Sequence, residues 1–163
     1  GGDTLFSNCY MAYEALSDTF KTMIKPLWAV HSMAYSLSQS MEWRKKDTAQ
    51  RLTQINPPVE HPIVMVHPRS GREVLYVNEM MTNKIVGMSQ DESNAILQML
   101  FAHLVQPEFT YRHQWKPHDL VMWDNRCVMH KALMDRVPGT LRHMHRTTIL
   151  GEARGRLHAP ATA

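Results

Sequence analysis

Two arginines, Arg142 and Arg146, lie four residues apart in a segment, residues 140–150, that alternates in the manner of a β-strand. On a strand they would share one face and stand about 13 Å apart, at about 3.3 Å per residue. That separation is too long for both to hold one small anion and suits two anions bound side by side. Arginine binds carboxylate, sulfonate or phosphate groups through paired hydrogen bonds. An exposed, solubilising strand face is an equal alternative at this point.

A histidine, His130, follows a strand-like run that ends in Trp123 and the polar turn at residues 124–126. An imidazole presented in this way could bind a metal ion. A single histidine more often has a structural or surface role, and both interpretations stay open here. Cys127 and His130 form a Cys-x-x-His pair without a second pair, so a zinc site is disfavoured. Cys127 is interpreted as a small buried hydrophobic residue.

The composition of the chain excludes several classes of protein. With 44% hydrophobic and 20% charged residues among 163, it is not typical of a disordered tail, a collagen-like repeat or a coiled coil. No apolar stretch approaches the roughly 20 residues that cross a bilayer, and no signal peptide opens the chain, so no membrane partner is expected. Its two cysteines are too few for a disulfide scaffold and favour a reduced, cytoplasmic location.

The net charge of +3 raises the question of a nucleic-acid partner. Basic and acidic residues alternate along most of the chain, and the longest basic run is residues 44–46. A solvated surface explains this pattern, so no nucleic acid is expected. A homo-oligomer is compatible with the sequence.

Capping and stop signals predict the helices. Residues 8–16 indicate a turn or two of helix, and Ser17 caps a second helix that reaches Ile24. A capping box at residues 89–92 begins the most regular helix, which ends before Pro107.

Strand patterns and turns predict a mainly β protein with flanking helices, either a barrel or a sandwich. The polar run at residues 35–56, with a helix expected at 42–54, is typical of a surface insertion that covers a site as a lid. No internal repeat or linker is evident, so one domain or part of one is expected. The strand-like runs are residues 27–33, 59–67, 73–77, 109–115, 120–123 and 140–150.

Several short motifs follow one another in the order seen in a known enzyme family. They are Gly1-Gly2-Asp3-Thr4-Leu5-Phe6, Ala12-Tyr13-Glu14-Ala15-Leu16-Ser17, His61-Pro62, His67-Pro68, Gly71, Tyr76-Val77-Asn78, Pro107-Glu108-Phe109, Trp123-Asp124-Asn125-Arg126, His130 and Met144-His145-Arg146. From these motifs the chain resembles the C-terminal part of the taurine dioxygenase and 2,4-dichlorophenoxyacetate dioxygenase family. The members of that family are Fe(II)- and 2-oxoglutarate-dependent oxygenases.

The resemblance implies a fold and a domain boundary. The fold is a partial double-stranded β-helix, or jelly roll, of the clavaminate synthase-like type. Residues 1–151 are expected to form the C-terminal portion of one such domain, and residues 152–163 a C-terminal tail.

The resemblance also implies site residues. His130 matches the distal iron ligand, and Thr4 and Arg142 match residues that bind 2-oxoglutarate. Arg146 matches the arginine that meets the anionic group of the substrate. Two further substrate contacts are expected. They are Trp123, beside the site, and Met81, which stands where taurine-cleaving members have a phenylalanine.

One departure concerns the metal. The family binds iron with a His-x-Asp motif and a distal histidine, and no His-x-Asp occurs in this sequence. In the family that motif lies upstream of Gly-Gly-Asp-Thr, so an N-terminal truncation is expected, and this chain alone is expected to be inactive. The alternative is a degenerate, metal-free protein.

The activity that the resemblance implies is an oxidation. A small anionic substrate, such as a sulfonate, an alkyl sulfate or an aryloxyalkanoate, is hydroxylated beside a heteroatom. Fe(II), O2 and 2-oxoglutarate are required, and 2-oxoglutarate becomes succinate and CO2. The competing hypothesis is a metal-free anion-binding module that retains both arginines.

Overall fold

Nine strands and three α-helices form in the residues that the structure, a computed structural model, describes: 1–33, 54–135, 139, 142–151 and 155–158. The helices are α1 (Cys9–Glu14), α2 (Asp18–Ile24) and α3 (Gln90–Leu104), and a 3-10 helix covers Pro107–Phe109. The strands are β1 (Thr4–Asn8), β2 (Trp28–His31), β3 (Val59–Pro62), β4 (Val64–Val66), β5 (Glu73–Leu75), β6 (Thr82–Ile85), β7 (Thr110–His113), β8 (Val128–Ala132) and β9 (Arg156–Leu157).

The strands pair in three antiparallel sheets. Sheet A has the order β7-β1-β8, sheet B has the order β6-β2-β3-β9, and sheet C is the hairpin of β4 and β5. Strand β1 is therefore hydrogen-bonded on both edges. Its first residues are held in one register by two neighbours, which makes it a rigid support for side chains. The expected mainly β architecture with flanking helices is confirmed.

Polar side chains at the helix starts satisfy free backbone N–H groups, as the sequence predicts. Asn8 accepts from two amides of α1, and Ser17 accepts from an amide of α2. Before α3 both halves of the capping box are present: Ser89 accepts from the Glu92 amide, and Glu92 accepts from the Ser89 amide. All three helices end where the sequence predicts, to within a few residues.

The hydrophobic core lies between the helices and sheets B and C. Helix α1 packs on β5 and α3 packs on β6, with Leu100 and Leu104 fully buried. Two buried side-chain hydrogen bonds join α3 to the strands. The Ser7 hydroxyl of β1 donates to the Leu104 carbonyl at 2.6 Å, and the Ile85 amide donates to Ser93 Oγ at 2.7 Å. The first of these fixes β1, and with it sheet A, on the helical layer.

The run predicted as one strand at residues 59–67 is two strands in different sheets. Pro62 has no N–H to continue the ladder, and the next amide, Ile63, donates to the Leu27 carbonyl at 2.9 Å. β3 therefore ends at Pro62 and β4 begins a separate pairing with β5. The predicted hairpin to residues 73–77 is confirmed for β4 and β5, with Gly71 at φ +70° in the turn.

The strands predicted at residues 120–123 and 140–150 are wrong for the residues described. Residues 120–123 and 142–150 form no strand. Leu120, Met122 and Ile149 are 84%, 85% and 93% exposed. Alternation stabilises a strand only when a neighbouring strand accepts and donates backbone hydrogen bonds, and no described strand pairs with either segment. Conversely, β1 and β8 were not predicted, and His130 lies within β8 rather than after a turn.

Part of the expected C-terminal tail belongs to a sheet. β9 pairs with β3, and the buried Glu60 accepts from Arg156 Nε at 2.5 Å and from His158 Nδ1 at 2.7 Å. The lid predicted at residues 35–56, except for residues 54–56, and its helix at 42–53 lie outside the described residues. Among the helices described, none has the length and apolar character to cross a membrane.

Candidate functional site

One face of sheet A carries two of the residues singled out in the sequence. Phe6 of β1 is directly opposite His130 of β8, and Thr4 is directly opposite His113 of β7. Directly paired residues of antiparallel strands project to the same face, and so do residues two apart on one strand. Thr4 and His130 therefore share one face, with Phe6 and His113 between and beside them.

Aromatic rings surround His130 on this face. Its ring centroid lies 4.8 Å from that of Trp123 and 6.2 Å from that of Phe6, and the Phe6 and Trp123 rings meet edge-on at 5.2 Å. The Trp123 indole N–H donates to Asn125 Oδ1 at 2.9 Å, so the ring faces remain for apolar contact. The structure thus brings Trp123 to His130, as the sequence predicts.

The surroundings of His130 favour its neutral form. Burial lowers the pKa of the imidazole, and the positive charge of Arg146 lowers it further. Within the described parts of the chain, neither ring nitrogen makes a hydrogen bond. A neutral imidazole with a free nitrogen is the form that binds a metal ion, so His130 fits the role of one ligand. No second or third ligand joins it among the described residues.

Arg142 is held against the start of β1. Its Nε donates to the Gly2 carbonyl at 2.8 Å, which leaves its two terminal nitrogens for an anion. Gly2 has φ +78°, and a Cβ there would lie 2.8 Å from Arg142 Cδ, so only glycine permits this approach. Arg142 thus contacts the backbone two residues before Thr4.

A network of charges fixes the backbone on which Arg142 rests. The Gly2 amide donates to Asp135 Oδ1 at 2.7 Å, and Arg112 donates to Asp3 Oδ2 at 2.8 Å and also to Asp135. The Gly2 N–H holds the pKa of Asp135 below its usual range. The sequence did not identify Arg112 or Asp3 as part of the site. Arg112 alternates with His113 on β7 and lies on the opposite face from Thr4.

Arg146 lies close enough to His130 for its charge to lower the imidazole pKa. Arg142 lies beside Gly2, which precedes β1. The strand predicted to carry both arginines does not form over residues 142–150. Arg142 nevertheless contacts the Gly2 carbonyl, whereas Arg146 lies near His130. The separation of the two guanidinium groups, and with it the binding of two anions, stays a prediction.

Met81 does not lie with the other predicted site residues. It lines a cavity of about 390 Å³ beside sheet B, together with His31, His61, Tyr76, Asn78 and five more residues. Among the residues that line this cavity, all of them described, none is another of the predicted site residues. The family resemblance alone implied a substrate contact for Met81, and that role stays a prediction.

The cavity contains a buried histidine whose protonation opposes folding. Burial, and then the neighbouring His61, lower the pKa of His31 from 6.5 to about 4. The unfolded chain therefore binds a proton below pH 6.5 that the folded chain does not bind until about pH 4. The free energy of unfolding should therefore be highest above pH 6.5. It should fall by up to about 3 kcal/mol between pH 6.5 and pH 4.

Urea unfolding at a series of pH values checks this prediction. His31→Gln removes the titrating group, so its stability should change less over the same range. His145→Gln, at an exposed position, is the matched control and should keep the wild-type slope. An unchanged slope in His31→Gln would contradict the assignment.

A second cluster of metal-ligating types contains His67, Asp124 and Cys127, whose ligand atoms lie within 4.8 Å of one another. These atoms already have protein partners. Asp124 accepts from Arg126 Nε at 2.8 Å, and its other oxygen lies 3.1 Å from His67 Nε2. Burial raises the pKa of the Cys127 thiol. The cluster therefore ties the sheet C turn to the segment before β8, and a zinc site at Cys127 remains disfavoured.

Sequence reasoning also missed Trp115, which donates its indole N–H to Thr4 Oγ1 at 2.9 Å. The continued alternation of Tyr111, His113 and Trp115 would have put Trp115 on the face of His113. The pairing of His113 with Thr4 across 109 positions is not visible in the sequence.

Known proteins resemble this chain both in sequence and in structure. Residues 1–148 match the family described as "Taurine catabolism dioxygenase TauD, TfdA family". An alpha-ketoglutarate-dependent 2,4-dichlorophenoxyacetate dioxygenase of Burkholderia sp. (strain RASC) is 36% identical over 151 residues, which cover 93% of this chain and 49% of that protein.

Two further similar proteins have the same character. An alpha-ketoglutarate-dependent sulfonate dioxygenase of Saccharomyces cerevisiae is 35% identical over 152 residues, which cover 91% of this chain and 35% of the relative. The crystal structure of AAD-2 in complex with Mn(II) and N-oxalylglycine superposes with a TM-score of 0.73 at 40% identity, and covers 81% of this chain and 47% of the other. The chain thus spans half or less of each of these proteins.

Proposed function

The chain belongs to the Taurine catabolism dioxygenase TauD, TfdA family, and we propose that the full-length protein is an Fe(II)- and 2-oxoglutarate-dependent dioxygenase. The names of the similar proteins support this activity. In this proposal the enzyme consumes O2 and 2-oxoglutarate and hydroxylates a small anionic organic substrate beside a heteroatom.

The observation that carries the proposal is the grouping of three side chains around β1. Arg142 contacts the carbonyl of Gly2, Thr4 follows two residues later, and His130 pairs opposite Phe6. These residues lie up to 140 positions apart in the chain. A cation, a hydroxyl and a neutral imidazole along one strand suit a ligand with a carboxylate at one end and a metal at the other.

His130 is proposed to hold the iron, together with further ligands that are not found beside it among the described residues. The lowered pKa of its imidazole, which makes no hydrogen bond to any described residue, supports this role. When bound, the iron supplies the oxidising chemistry that couples hydroxylation to the conversion of 2-oxoglutarate into succinate and CO2. The rings of Phe6 and Trp123 lie against the imidazole, which remains accessible to a ligand.

Arg142 and Thr4 are proposed to bind the far carboxylate of 2-oxoglutarate. The Gly2 carbonyl fixes Arg142 Nε, so the guanidinium turns its terminal nitrogens to the ligand without losing side-chain freedom on binding. Thr4 is 5% exposed and adds a hydroxyl two residues after the glycine that holds Arg142. Preorganised donors of this kind bind a carboxylate more strongly than mobile surface lysines do.

The substrate is proposed to be an anion bound by Arg146, close to His130. A sulfonate, an alkyl sulfate and an aryloxyalkanoate all carry a suitable charge, and Trp123 offers an apolar surface for the rest of the molecule. The named substrates of the two similar enzymes, a sulfonate and 2,4-dichlorophenoxyacetate, are within this class. The cytoplasmic location remains a prediction.

The same family membership supports a finer description of the fold. We propose that the complete domain is a double-stranded β-helix of the clavaminate synthase-like type. Residues 1–151 then form its C-terminal portion, to which β9 adds a short edge strand.

A substrate panel with the full-length protein tests the proposed activity. Sulfonates, alkyl sulfates and aryloxyalkanoates are incubated with Fe(II), 2-oxoglutarate and O2, and succinate is measured. Succinate above the substrate-free level with one class supports the proposal and identifies the class. Binding of 2-oxoglutarate without iron binding, and without succinate from any substrate, would contradict it and favour a metal-free anion-binding module.

Replacement of Gly2 by alanine should weaken 2-oxoglutarate binding. The new Cβ would lie 2.8 Å from Arg142 Cδ, and the backbone would have to keep φ +78°. Arg142 must then move from the Gly2 carbonyl, so the Kd for 2-oxoglutarate should rise about tenfold. Calorimetric titration measures it. The matched control is Gly71→Ala, also at positive φ but in an open turn, which should leave the Kd unchanged; equal Kd values for both variants would contradict the prediction.

A further inference from the structure

We infer that Trp115 is a positioning residue for the co-substrate site, because it sets the direction in which the Thr4 hydroxyl donates. The inference rests on the proposed function. The indole N–H of Trp115 donates to Thr4 Oγ1 at 2.9 Å. Among the described residues this is the only hydrogen bond of that hydroxyl, and Thr4 is 5% exposed.

The chemistry of the two groups decides the direction. An indole nitrogen can only donate, whereas a hydroxyl has one hydrogen to donate and two lone pairs to accept with. Trp115 therefore occupies a lone pair of Thr4 and leaves the hydroxyl hydrogen for another acceptor. A hydroxyl that accepts one hydrogen bond is also a stronger donor in the next. Thr4 is thus prepared to donate its hydroxyl hydrogen to an anion.

The surroundings hold the indole in place. The Trp115 ring meets the His113 ring edge-on at 4.5 Å, and His113 is the residue paired with Thr4. Two hydrogen bonds close the turn that follows Trp115. The Lys116 amide donates to Asp119 Oδ2 at 2.9 Å, and the Asp119 amide donates to the Lys116 carbonyl at 3.2 Å. The position of Trp115 is therefore fixed from both sides along the chain.

The location of the anion follows from Arg142. Its Nε is bound to the Gly2 carbonyl, two residues from Thr4, and its terminal nitrogens stay free among the described residues. A carboxylate held by those nitrogens has a further oxygen lone pair for the Thr4 hydroxyl. Trp115 does not touch the ligand in this arrangement. It acts on the ligand only through Thr4.

Trp115→Phe in the full-length protein tests the inference, because it keeps an aromatic ring and removes the N–H. We expect the Kd for 2-oxoglutarate, titrated calorimetrically with Fe(II) under anaerobic conditions, to rise about five- to tenfold. The Kd for Fe(II) should stay the same. Trp28→Phe is the matched control, since Trp28 lies in sheet B, and should leave both constants unchanged.

A double-mutant cycle separates positioning from packing. In a Thr4→Val background, Trp115→Phe should have no further effect on the 2-oxoglutarate Kd if the indole acts through the hydroxyl. An additive loss would overturn the inference, as would an unchanged Kd in the single variant. Failure of the wild-type protein to bind 2-oxoglutarate would instead refute the proposed function.

A spectroscopic measurement covers the case in which Trp115→Phe does not fold. Thr4→Val should shift the Trp115 indole N–H resonance in nitrogen-15-labelled protein, because the acceptor is lost, whereas Thr4→Ser should leave it nearly unchanged. Addition of 2-oxoglutarate to the wild-type protein should also shift this resonance, since the hydroxyl then donates to the ligand. An indole signal that responds to neither change would overturn the inference.

Discussion

Replacing Arg142 with alanine in the full-length protein should raise the Kd for 2-oxoglutarate by about 100-fold. Two charge-assisted hydrogen bonds to a carboxylate are lost, each of which is typically stronger than a neutral one. The Gly2 carbonyl also loses its donor, but it lies at the edge of the site, so folding should be little affected. Anaerobic calorimetric titration measures the change, and the Fe(II) Kd should stay at the wild-type value.

The neighbouring arginine supplies the matched control. Arg146→Ala removes the same charge from the same segment, but we expect it to raise the KM of the organic substrate and to leave the 2-oxoglutarate Kd unchanged. Equal effects of both variants on 2-oxoglutarate would contradict the division of the two anions between the two arginines. A fall in melting temperature without a change in either constant would indicate that Arg142 has a structural role.

The parts of the fold that the sequence predicts are those set by local chemistry. Helix α3 follows from Ser89 and Glu92, which cap their own backbone three residues away. Pro62, by contrast, divides a run that reads as one strand, because the missing N–H matters only once the partners of β3 are known. Residues 142–150 alternate as a strand would, and no described strand pairs with them. Alternation of apolar and polar residues indicates that a strand would have two different faces, but it does not show whether a neighbouring strand is available for pairing.

The same distinction between local and distant information applies to the candidate site. The motif resemblance predicted Thr4, His130 and Arg142, and the structure brings them to one strand. It did not predict the contacts that hold them, such as the Trp115 indole on Thr4 Oγ1, because 111 positions separate the two residues. Met81 lies in a different cavity from the group.

The two ends of the site are joined through β1. Gly2 contacts Arg142, and Phe6, four residues later, lies opposite His130. Gly2 lies two residues before the first residue of β1, and Phe6 lies within the strand. Because both edges of β1 are paired and Ser7 is bonded to α3, a shift of the strand would move the arginine and the imidazole together. The separation of the two ligand-binding ends is therefore built into one rigid element.

His130→Ala in the full-length protein should abolish stoichiometric Fe(II) binding. One of three proposed ligands is lost, and since removal of a residue that only supports a metal ligand typically costs 10- to 100-fold in affinity, loss of the ligand itself should weaken binding by at least about 100-fold. Anaerobic titration with Fe(II), followed by metal analysis after desalting, measures it. The 2-oxoglutarate contacts at Arg142 lie at the other end of β1, so the protein should still fold around them.

Two variants make the result specific to the imidazole. His145→Ala removes an exposed histidine and should bind Fe(II) as the wild type does. His130→Gln keeps a polar side chain between Phe6 and Trp123, so it should restore any stability that the alanine loses without restoring iron. If His130→Ala retained one Fe(II) per chain, the imidazole would be a packing residue under Trp123, and the proposed iron site would have to be sought elsewhere. Burial, and then the charge of Arg146, lower the pKa of His130, which favours the neutral form that binds a metal ion.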